Sequence, residues 1–337
     1  MIFSPFNTEI AMSGIRIELS VIIVTWNTRR FAWECLDSLR IYRDDPNVEI
    51  IVVDNASSDG TPEVIEQEFP WVHLIRNSEN LGFARANNIG MIASTGKYVC
   101  LVNSDVTAPP DCLPGMHAYM EANPAVGMLG PQMLCPNGLI GRSYMRFPTV
   151  WRGLCDAFAM HRIFRRSKAF SGIIIPDFDN SHTAEVDVLN GWFLMVRREA
   201  LNEVGMLDEQ FFMYGEDIDW SYRFYRAGWK RVYFSEARAF HYGGASSAVT
   251  PTRFYIEMRR ANLQLLRKHT DKFKTYGYLV ATLLHETLRV MGNGILILRR
   301  KSDRSKAVLK MTRSIACIQW LVRRPMSSTA TTTSRPI

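Results

Sequence analysis

Short apolar runs that end abruptly in polar residues constrain the fold of this chain more than any other feature. Leu19–Thr25, Val48–Asp54 and Tyr98–Val102 are dominated by β-branched and other apolar residues, which is typical of buried strands. Apolar residues at helical spacing follow the first run in 30–40, and Thr61-Pro62 places a proline in the first turn of a second helix. Strands that alternate with helices at this spacing predict right-handed βαβ units and a mostly parallel sheet, an α/β fold. The other elements predicted in this half are a short strand at Val72–Ile75 and a helix at Arg85–Ala93.

Polar side chains follow three of these strands, in the segments Thr25-Trp26-Asn27, Asp54–Gly60 and Asn103-Ser104-Asp105. Because parallel strands finish on the same side of a sheet, we expect the three segments to line one crevice, the place where open α/β sheets bind ligands. Asp105 suits a divalent cation that also binds phosphate, and it equally suits a cap for the turn before Pro109-Pro110. The glycine pattern GxGxxG is absent after the first strand, which argues against a dinucleotide site of that type.

The basic charge of the chain is concentrated in its last quarter. The whole sequence of 337 residues carries a net charge of +7, and a composition of 47% hydrophobic and 22% charged residues is ordinary for a globular protein. Residues 1–249 carry 22 Lys and Arg against 29 Asp and Glu, whereas residues 250–337 carry 18 against 4. A segment this basic suits nucleic acid, an anionic membrane surface or a solvated helical face.

The cysteines and the two ends of the chain indicate the compartment. The six cysteines show no CxxC pairing, so we expect reduced thiols in a cytoplasmic setting rather than a disulfide framework or a zinc site. Met1–Ser13 has no basic start and no long apolar core, so no signal peptide is predicted. We expect 1–16 to be a loose extension and 324–337, which is rich in Ser and Thr, to be disordered.

The segment Tyr276–Leu298 is apolar and long enough to cross a bilayer. Three ionisable residues in it, His285, Glu286 and Arg289, make an ordinary transmembrane helix costly. A helix that lies in the membrane interface, or packs on its neighbour, fits better, with Arg299-Arg300-Lys301 as contacts to anionic lipid. Because the basic residues accompany an apolar helix and not a sheet or groove, a peripheral place on the inner face of the cell membrane is favoured over nucleic-acid binding.

Residues 151–183 interleave aromatic with basic residues. This pattern suits a mobile flap near a phosphate or headgroup, and it equally suits a surface helix whose basic residues are solvated. The remaining predicted elements are strands at Val186–Arg197, Trp229–Phe234 and Ala237–His241, a helix from Met213 to about Gly228, and a helix at Thr252–His269.

Several of these segments, in their order along the chain, resemble the motifs of family 2 glycosyltransferases, and of rhamnosyltransferase-like members in particular. The segments are Ser20–Asn27, Val53–Thr61, Asn80–Asn88, Asn103-Ser104-Asp105, Gly215–Asp219 and His241. The resemblance covers about residues 19–245 and implies the GT-A fold, with a sheet flanked by helices. It also implies a nucleotide-sugar donor.

For the donor, the resemblance points to residues after the first three long strands. It implies that Asp54 hydrogen-bonds the pyrimidine base, which is chemically sensible because a carboxylate accepts from the N3–H of uracil or thymine. Thr25, Asn27 and Asn55 would lie nearby, and Asn80, Gly82, Arg85, Asn103, Ser104 and Asp105 complete the implied donor site. Arg85 would face the diphosphate, or else it is a solvated helix residue; Asp54 could alternatively cap a turn.

For the metal, Asn103-Ser104-Asp105 occupies the place of the family's Asp-x-Asp motif. Asparagine replaces the first acid, so Asp105 would hold Mg²⁺ or Mn²⁺ largely together with the donor's phosphates. His241 resembles a residue that helps bind metal or diphosphate in some relatives, although a lone histidine is more often structural.

For catalysis, the resemblance implies an inverting reaction in which Asp217 takes the proton from the acceptor hydroxyl. Glu216 would orient Asp217, and the implied acceptor site contains Gly191, Trp192 and Asp219. The alternative is that the three acids of Glu216–Asp219 only favour a helix N-terminus.

We therefore predict an inverting, metal-dependent glycosyltransferase that transfers rhamnose from dTDP-rhamnose to a glycan acceptor, in a lipid-linked form, for cell-surface polysaccharide. The alternatives are a UDP-sugar donor (galactofuranose, glucose or N-acetylglucosamine) and a catalytically weak glycan- or lipid-binding module. A homodimer is compatible with the sequence. The predicted organisation is a catalytic domain at 17–249, with a donor half at about 17–130, an acceptor half at about 131–249 and the flap at 151–183, followed by a basic helical membrane-associating extension at 250–323.

Overall fold

The computed structural model describes residues 17–164, 167–173, 180–211, 214–243, 251–299 and 304–323. The predicted N-terminal extension 1–16, the predicted tail 324–337 and the residues Arg300 and Lys301 lie outside them. The chain divides into two compact units, one formed by Met1–Met145 with Asp179–Ser246 and the other by Arg146–Phe178 with Ser247–Ile337. The first unit contains the sheet, and the second contains helices.

The first unit alternates strands and helices through its first half, as predicted. Its strands are β1 (Leu19–Thr25), β2 (Val48–Asp54), β3 (His73–Arg76), β4 (Tyr98–Asn103), β5 (Val106–Thr107), β6 (Val126–Leu134), β7 (Tyr144–Met145), β8 (Ala184–Glu185), β9 (Val188–Leu189), β10 (Phe193–Arg197) and β11 (Lys230–His241). Its α-helices are α1 (Arg29–Ser38), α2 (Thr61–Glu68), α3 (Phe83–Ala93), α4 (Cys112–Ala122), α7 (Arg198–Val204) and α8 (Glu216–Arg226), numbered with α5 and α6 of the second unit in chain order.

The main sheet has the strand order β3-β2-β1-β4-β10-β6-β11-β5, with β8 paired to β11. Strands β3, β2, β1 and β4 are parallel, and β6 is parallel to β11. Strand β10 runs antiparallel to both β4 and β6, so the sheet is mixed at its centre. Val21, Ile22 and Ile23 in β1 are fully buried, because helices cover both faces of the sheet. The predicted α/β class with a helix-flanked sheet is confirmed.

Two strand predictions in the second half are wrong in detail. Val186–Arg197 is not one strand, because the chain leaves the ladder at Asn190–Trp192 between β9 and β10. There the Asn190 N–H donates to the Ser143 carbonyl, and the Gly191 N–H donates to a side chain instead of a strand. Residues 230–241 form the single strand β11, since the predicted break is only a bulge in its pairing with β6 between Phe234 and Arg238.

The second unit is built from helices that pack on one another. They are α5 (Val150–Ala157), α6 (Met160–Ile163), α9 (Pro251–His269), α10 (Lys272–Arg299) and α11 (Arg304–Arg323). Aromatic rings of the predicted flap pack together, with Phe164 stacked on Phe170 at 4.4 Å and Trp151 5.7 Å from Phe170. Among the described residues, no helix is both long and apolar enough to span a membrane.

Candidate active site

The carboxyl ends of β1 and β2 hold Asp54 in a fixed position. Thr25 and Asp54 lie opposite each other in the parallel register, and the Thr25 hydroxyl donates to Asp54 Oδ1 over 3.0 Å. The backbone N–H of Ser57 donates to Asp54 Oδ2 over 3.0 Å. Both side chains are buried, so the carboxylate keeps its orientation, and its remaining lone pairs can accept a further N–H.

Asn27 braces the loop that follows β2. Its backbone has a φ of 51°, in the left-handed region that asparagine tolerates better than most residues. Its Oδ1 accepts from the Ser58 N–H over 2.8 Å, and its own N–H donates to Ser57 Oγ over 2.9 Å. The ends of β1 and β2 are therefore joined into one rigid rim.

A second set of hydrogen bonds fixes the backbone at the start of α3. The buried Asn55 donates to Asn80 Oδ1 over 2.9 Å and accepts from the Leu81 N–H over 3.0 Å. Asn80 Oδ1 also accepts from the N–H of Gly82, whose φ of 84° favours glycine. The amides of Asn55 and Asn80 are thus engaged inside the protein, and they position the backbone at the N-terminus of α3.

Arg85 is the next predicted donor residue along α3. Its side chain is exposed, and its Nε lies 3.8 Å from Glu209 Oε2, a weak surface pair. The guanidinium is therefore available to an anion, and its predicted contact with diphosphate stays a prediction.

Asp105 and His241 face each other where β4 ends and β11 ends. His241 Nε2 lies 3.1 Å from Asp105 Oδ1, and the two side chains are 14% and 11% exposed. The Trp192 ring stacks on the His241 ring at 5.3 Å with an interplanar angle of 16°. The hydroxyls of Ser104 and Thr28 are 3.0 Å apart beside them. A fixed carboxylate and imidazole suit one divalent cation that takes its other ligands from phosphate.

Asn103 contributes through its backbone. It ends β4, and its N–H donates to the carbonyl of Trp192 over 2.9 Å. This bond ties the end of β4 to the segment between β9 and β10.

Asp217 lies in the first turn of α8, after Gly215 with a φ of 92°. Its Oδ2 accepts from the Gly191 N–H over 3.1 Å, and its Oδ1 accepts from the Ile218 N–H over 2.8 Å. Burial raises the pKa of Asp217 above its ordinary value, although these backbone donors lower it. A carboxylate of raised pKa at a fixed place is suited to accept a proton.

Glu216 is buried directly beside Asp217. Within the described part of the chain its Oε2 is shielded from solvent and has no hydrogen-bond partner. Burial first, and the neighbouring Asp217 carboxylate second, raise the pKa of Glu216 well above its ordinary value. Burial therefore disfavours the charged form of Glu216 beside the Asp217 carboxylate.

Asp219 has a structural contact. It is fully buried, and its Oδ2 accepts from Arg223 Nε over 2.8 Å. Arg223 in turn donates to the carbonyls of Val204 and Met206, so the pair fixes α8 to the end of α7. Its predicted contact with the acceptor stays a prediction.

The segment Gly191-Trp192 connects the two halves of the site. Gly191 holds Asp217 through its N–H, while Trp192 stacks on His241. A Cβ at Gly191 would lie 3.7 Å from the ring of Phe83, at the start of α3. Around the break between β9 and β10 lie the predicted base Asp217, the predicted metal ligand His241 and the start of α3.

Sequence reasoning missed the hydrogen bonds that Thr28 and Asn88 make with distant residues. Asn88 exchanges hydrogen bonds with the backbone of Leu207, as its Nδ2 donates to the carbonyl and its Oδ1 accepts from the N–H. The only signal in the sequence was that Asn88 closes the Asn80–Asn88 segment. Its partner lies more than a hundred residues away and has no recognisable pattern.

Comparison with known proteins identifies the family of the chain. The family model for glycosyl transferase family 2 matches residues 20–205. An N-acetylglucosaminyl-diphospho-decaprenol L-rhamnosyltransferase of Mycobacterium tuberculosis is 30% identical over 248 residues, which are 69% of this chain and 78% of that protein. The glycosyltransferase GlyG of Streptococcus pneumoniae is 22% identical over 79% of this chain and 83% of that protein.

Solved structures show the same fold. The mannosyltransferase PcManGT from Pyrobaculum calidifontis, in complex with GDP-Man and Mn²⁺, matches with a TM-score of 0.56 and 18% identity over 91% of this chain and 88% of that one. TarS 1-349 of S. aureus in complex with UDP-GlcNAc matches with a TM-score of 0.51 and 17% identity over 93% of each chain. The fold is therefore of the GT-A type, and the chain belongs to glycosyl transferase family 2.

Proposed function

We propose that this glycosyltransferase moves L-rhamnose from dTDP-rhamnose to a lipid-linked glycan acceptor, with inversion at the anomeric carbon. The observation that carries the proposal is the arrangement around Gly191-Trp192, which joins Asp217 to the Asp105–His241 pair. An inverting transfer requires a base on the face of the sugar opposite the leaving group, and Gly191-Trp192 contacts both Asp217, as the proposed base, and His241, beside the proposed leaving-group site. The choice of rhamnose and of a lipid-linked acceptor is supported by the mycobacterial relative.

In the proposed reaction Asp217 acts as the general base. Its carboxylate accepts the proton of the acceptor hydroxyl as the hydroxyl oxygen attacks the anomeric carbon and the bond to the nucleoside diphosphate breaks. Gly191 and Ile218 keep the carboxylate in place through their N–H groups. Burial raises the pKa of Glu216, which disfavours a second negative charge beside the base.

Asp105 and His241 would hold a divalent cation, Mg²⁺ or Mn²⁺. When bound, the cation neutralises negative charge on the diphosphate leaving group. Asp54, with Thr25, would accept from the base of the nucleotide, and Asn27, Asn55, Asn80 and Gly82 would shape the pocket. We further propose that residues 17–130 bind mainly the donor and residues 131–249 mainly the acceptor, and that the protein works on an anionic membrane surface.

The test is a transfer assay with a panel of donors. The purified chain is incubated with Mg²⁺ or Mn²⁺, a polyprenyl-diphosphate-linked N-acetylglucosamine, and either dTDP-rhamnose, UDP-galactofuranose, UDP-glucose or UDP-N-acetylglucosamine. We expect turnover with dTDP-rhamnose and a product whose anomeric configuration, read by NMR, is opposite to that of the donor. Retained configuration would refute the role of Asp217, and turnover with a UDP-sugar alone would refute the donor.

A further inference from the structure

Helix α10 carries an apolar face that the described residues leave largely exposed. Five large side chains on it are 50% to 87% exposed: Phe273 at 87%, Tyr276 at 50%, Val280 at 61%, Met291 at 60% and Leu298 at 87%. At 3.6 residues per turn they lie on one side of the helix, together with Leu283, Leu284, Thr287 and Ile295. Within the described part of α10, no charged residue falls on this face, which runs for about 40 Å at the rise of an α-helix.

The three ionisable residues in the middle of α10, His285, Glu286 and Arg289, point the other way, into the second unit. Glu286 is fully buried, and its Oε1 accepts from the Tyr255 hydroxyl over 2.6 Å and lies 3.0 Å from Arg259 Nη2. The Arg289 guanidinium lies over the Tyr255 ring at 5.4 Å. Burial, together with the nearby Arg259 guanidinium, lowers the pKa of His285 to about 4, so it is neutral at physiological pH.

The separation of the apolar face from the ionisable residues limits how the helix can be oriented in a lipid bilayer. The exposed face can enter an apolar environment without moving any charge. A spanning orientation would expose Glu286 to lipid and break its pair with Arg259, at the cost of an unpaired buried charge. The arrangement therefore fits a helix that lies in the plane of the interface.

The charge of helix α11, which packs on α10, indicates whether the apolar face of α10 contacts a membrane or a second copy of the chain. It contains Arg304, Lys306, Lys310, Arg313 and Arg323 and no acidic residue. Its exposed apolar side chains Val308, Ile315 and Val322 recur at intervals of seven residues, and Arg304 and Arg323 lie on the same side of the helix as these three. Two copies that met through this side of α11 would bring like charges together, whereas anionic headgroups would attract the two cations.

We infer that α10 lies in the surface of an anionic membrane, with the face from Phe273 to Leu298 at the boundary of headgroups and acyl chains. Arg304 and Arg323, which are exposed on α11, contact the phosphates of anionic phospholipids. The inference extends the proposed function by naming the surface that binds the membrane, and it does not depend on the donor or the acceptor.

The test is flotation of the purified full-length chain with vesicles of phosphatidylglycerol and phosphatidylcholine, against vesicles of phosphatidylcholine alone. The double variant Val280→Gln/Met291→Gln removes apolar contact from the face. The matched control Ile41→Gln/Ile92→Gln changes two similarly exposed residues, 57% and 71%, in the first unit. Thermal melting shows that each variant is folded.

We expect the wild type and the control to float with the anionic vesicles, and the Val280/Met291 variant to bind them about tenfold more weakly. Arg304→Gln/Arg323→Gln should remove the preference for anionic vesicles. Equal vesicle binding by the face variant and the control would overturn the inference. So would a wild-type dimer in sedimentation equilibrium that the face variant dissociates, because the face would then bind a second copy. Vesicle binding without glycosyl transfer would contradict only the proposed function.

Discussion

Asp217 is the residue on which the proposed chemistry depends most directly. Asp217→Asn preserves the size of the side chain and an oxygen that can accept from the Gly191 N–H, but it cannot take up a proton. We expect transfer to fall by about 10² to 10⁴-fold, with little change in nucleotide affinity measured by calorimetry. Glu66→Gln, in an exposed pair with Arg76, serves as the surface control. If the variant lost nucleotide binding but transferred the sugar of bound donor at the normal rate, Asp217 would belong to the donor pocket.

Glu216 makes a separate prediction about stability. Its pKa is raised well above the ordinary value of 4.5, so the folded protein keeps a proton that the unfolded chain releases above that pH. The stability that Glu216 contributes is therefore full below pH 4.5 and declines as pH rises toward the folded-state pKa. Glu216→Gln mimics the protonated acid at every pH. We expect its melting temperature to exceed that of the wild type at pH 8 and to approach it at pH 4.

The same variant also tests whether Glu216 only orients Asp217 or itself takes part in the proton transfer. Because the neutral amide resembles the protonated acid, Glu216→Gln should retain transfer within about threefold. A loss as large as that of Asp217→Asn would mean that Glu216 must ionise during the reaction. A melting-temperature difference that is the same at pH 4 and pH 8 would contradict the raised pKa.

At the level of elements, the site depends on short braces between strand ends. Asn55→Ala removes the amide that joins β2 to Asn80 and Leu81, and leaves their polar atoms without this partner. We expect a loss of about 1 to 3 kcal/mol in the free energy of unfolding, measured in urea, and weaker nucleotide binding. Asn202→Ala, on the exposed side of α7, is the matched control. If the Asn55→Ala variant were destabilised but kept its nucleotide affinity, the hydrogen bonds of Asn55 would contribute to folding and not to nucleotide binding.

The elements that were predictable are those whose signal is local. Strands β1, β2 and β4 are continuous buried runs, and their parallel register brings Thr25 next to Asp54 without further information. The break between β9 and β10 was not predictable, because it depends on Gly191 bonding to Asp217 twenty-six residues later. The continuity of β11 was missed for a similar reason, since a bulge in its pairing with β6 accommodates residues 235–236, which separate the two predicted strands.

At the level of the whole molecule, charge is segregated along the chain, and most of its basic excess belongs to residues 250–337. The sequence showed this excess but not its arrangement. In the structure Arg259 serves as the buried partner of Glu286, while α11 presents cations without acids. The three ionisable residues that interrupt Tyr276–Leu298 are thus explained by packing inside the second unit, and the outer face of the helix remains free of charge.

Metal dependence is best tested through the stability of the whole protein, because a ligand that binds only the native state raises its melting temperature. We expect dTDP with Mn²⁺ to stabilise the chain by about 2 to 3 kcal/mol at a hundredfold excess over the dissociation constant, an increase of several degrees. Without Mn²⁺, or with EDTA, the increase should be much smaller, since the diphosphate would place its charge beside Asp105 uncompensated. Asp105→Asn should remove the part that depends on Mn²⁺.

The control for that experiment comes from a second place where metal ligands gather. Glu18, His117 and Glu121 hold their ligand atoms within 4.8 Å of one another on the described surface, although Lys97 already pairs with Glu121. Glu121→Gln should leave the Mn²⁺-dependent increase with dTDP intact, because this group lies beside Tyr98 at the opposite end of β4 from Asp105. If Glu121→Gln removed the increase and Asp105→Asn did not, the cation would be assigned to the wrong end of the sheet.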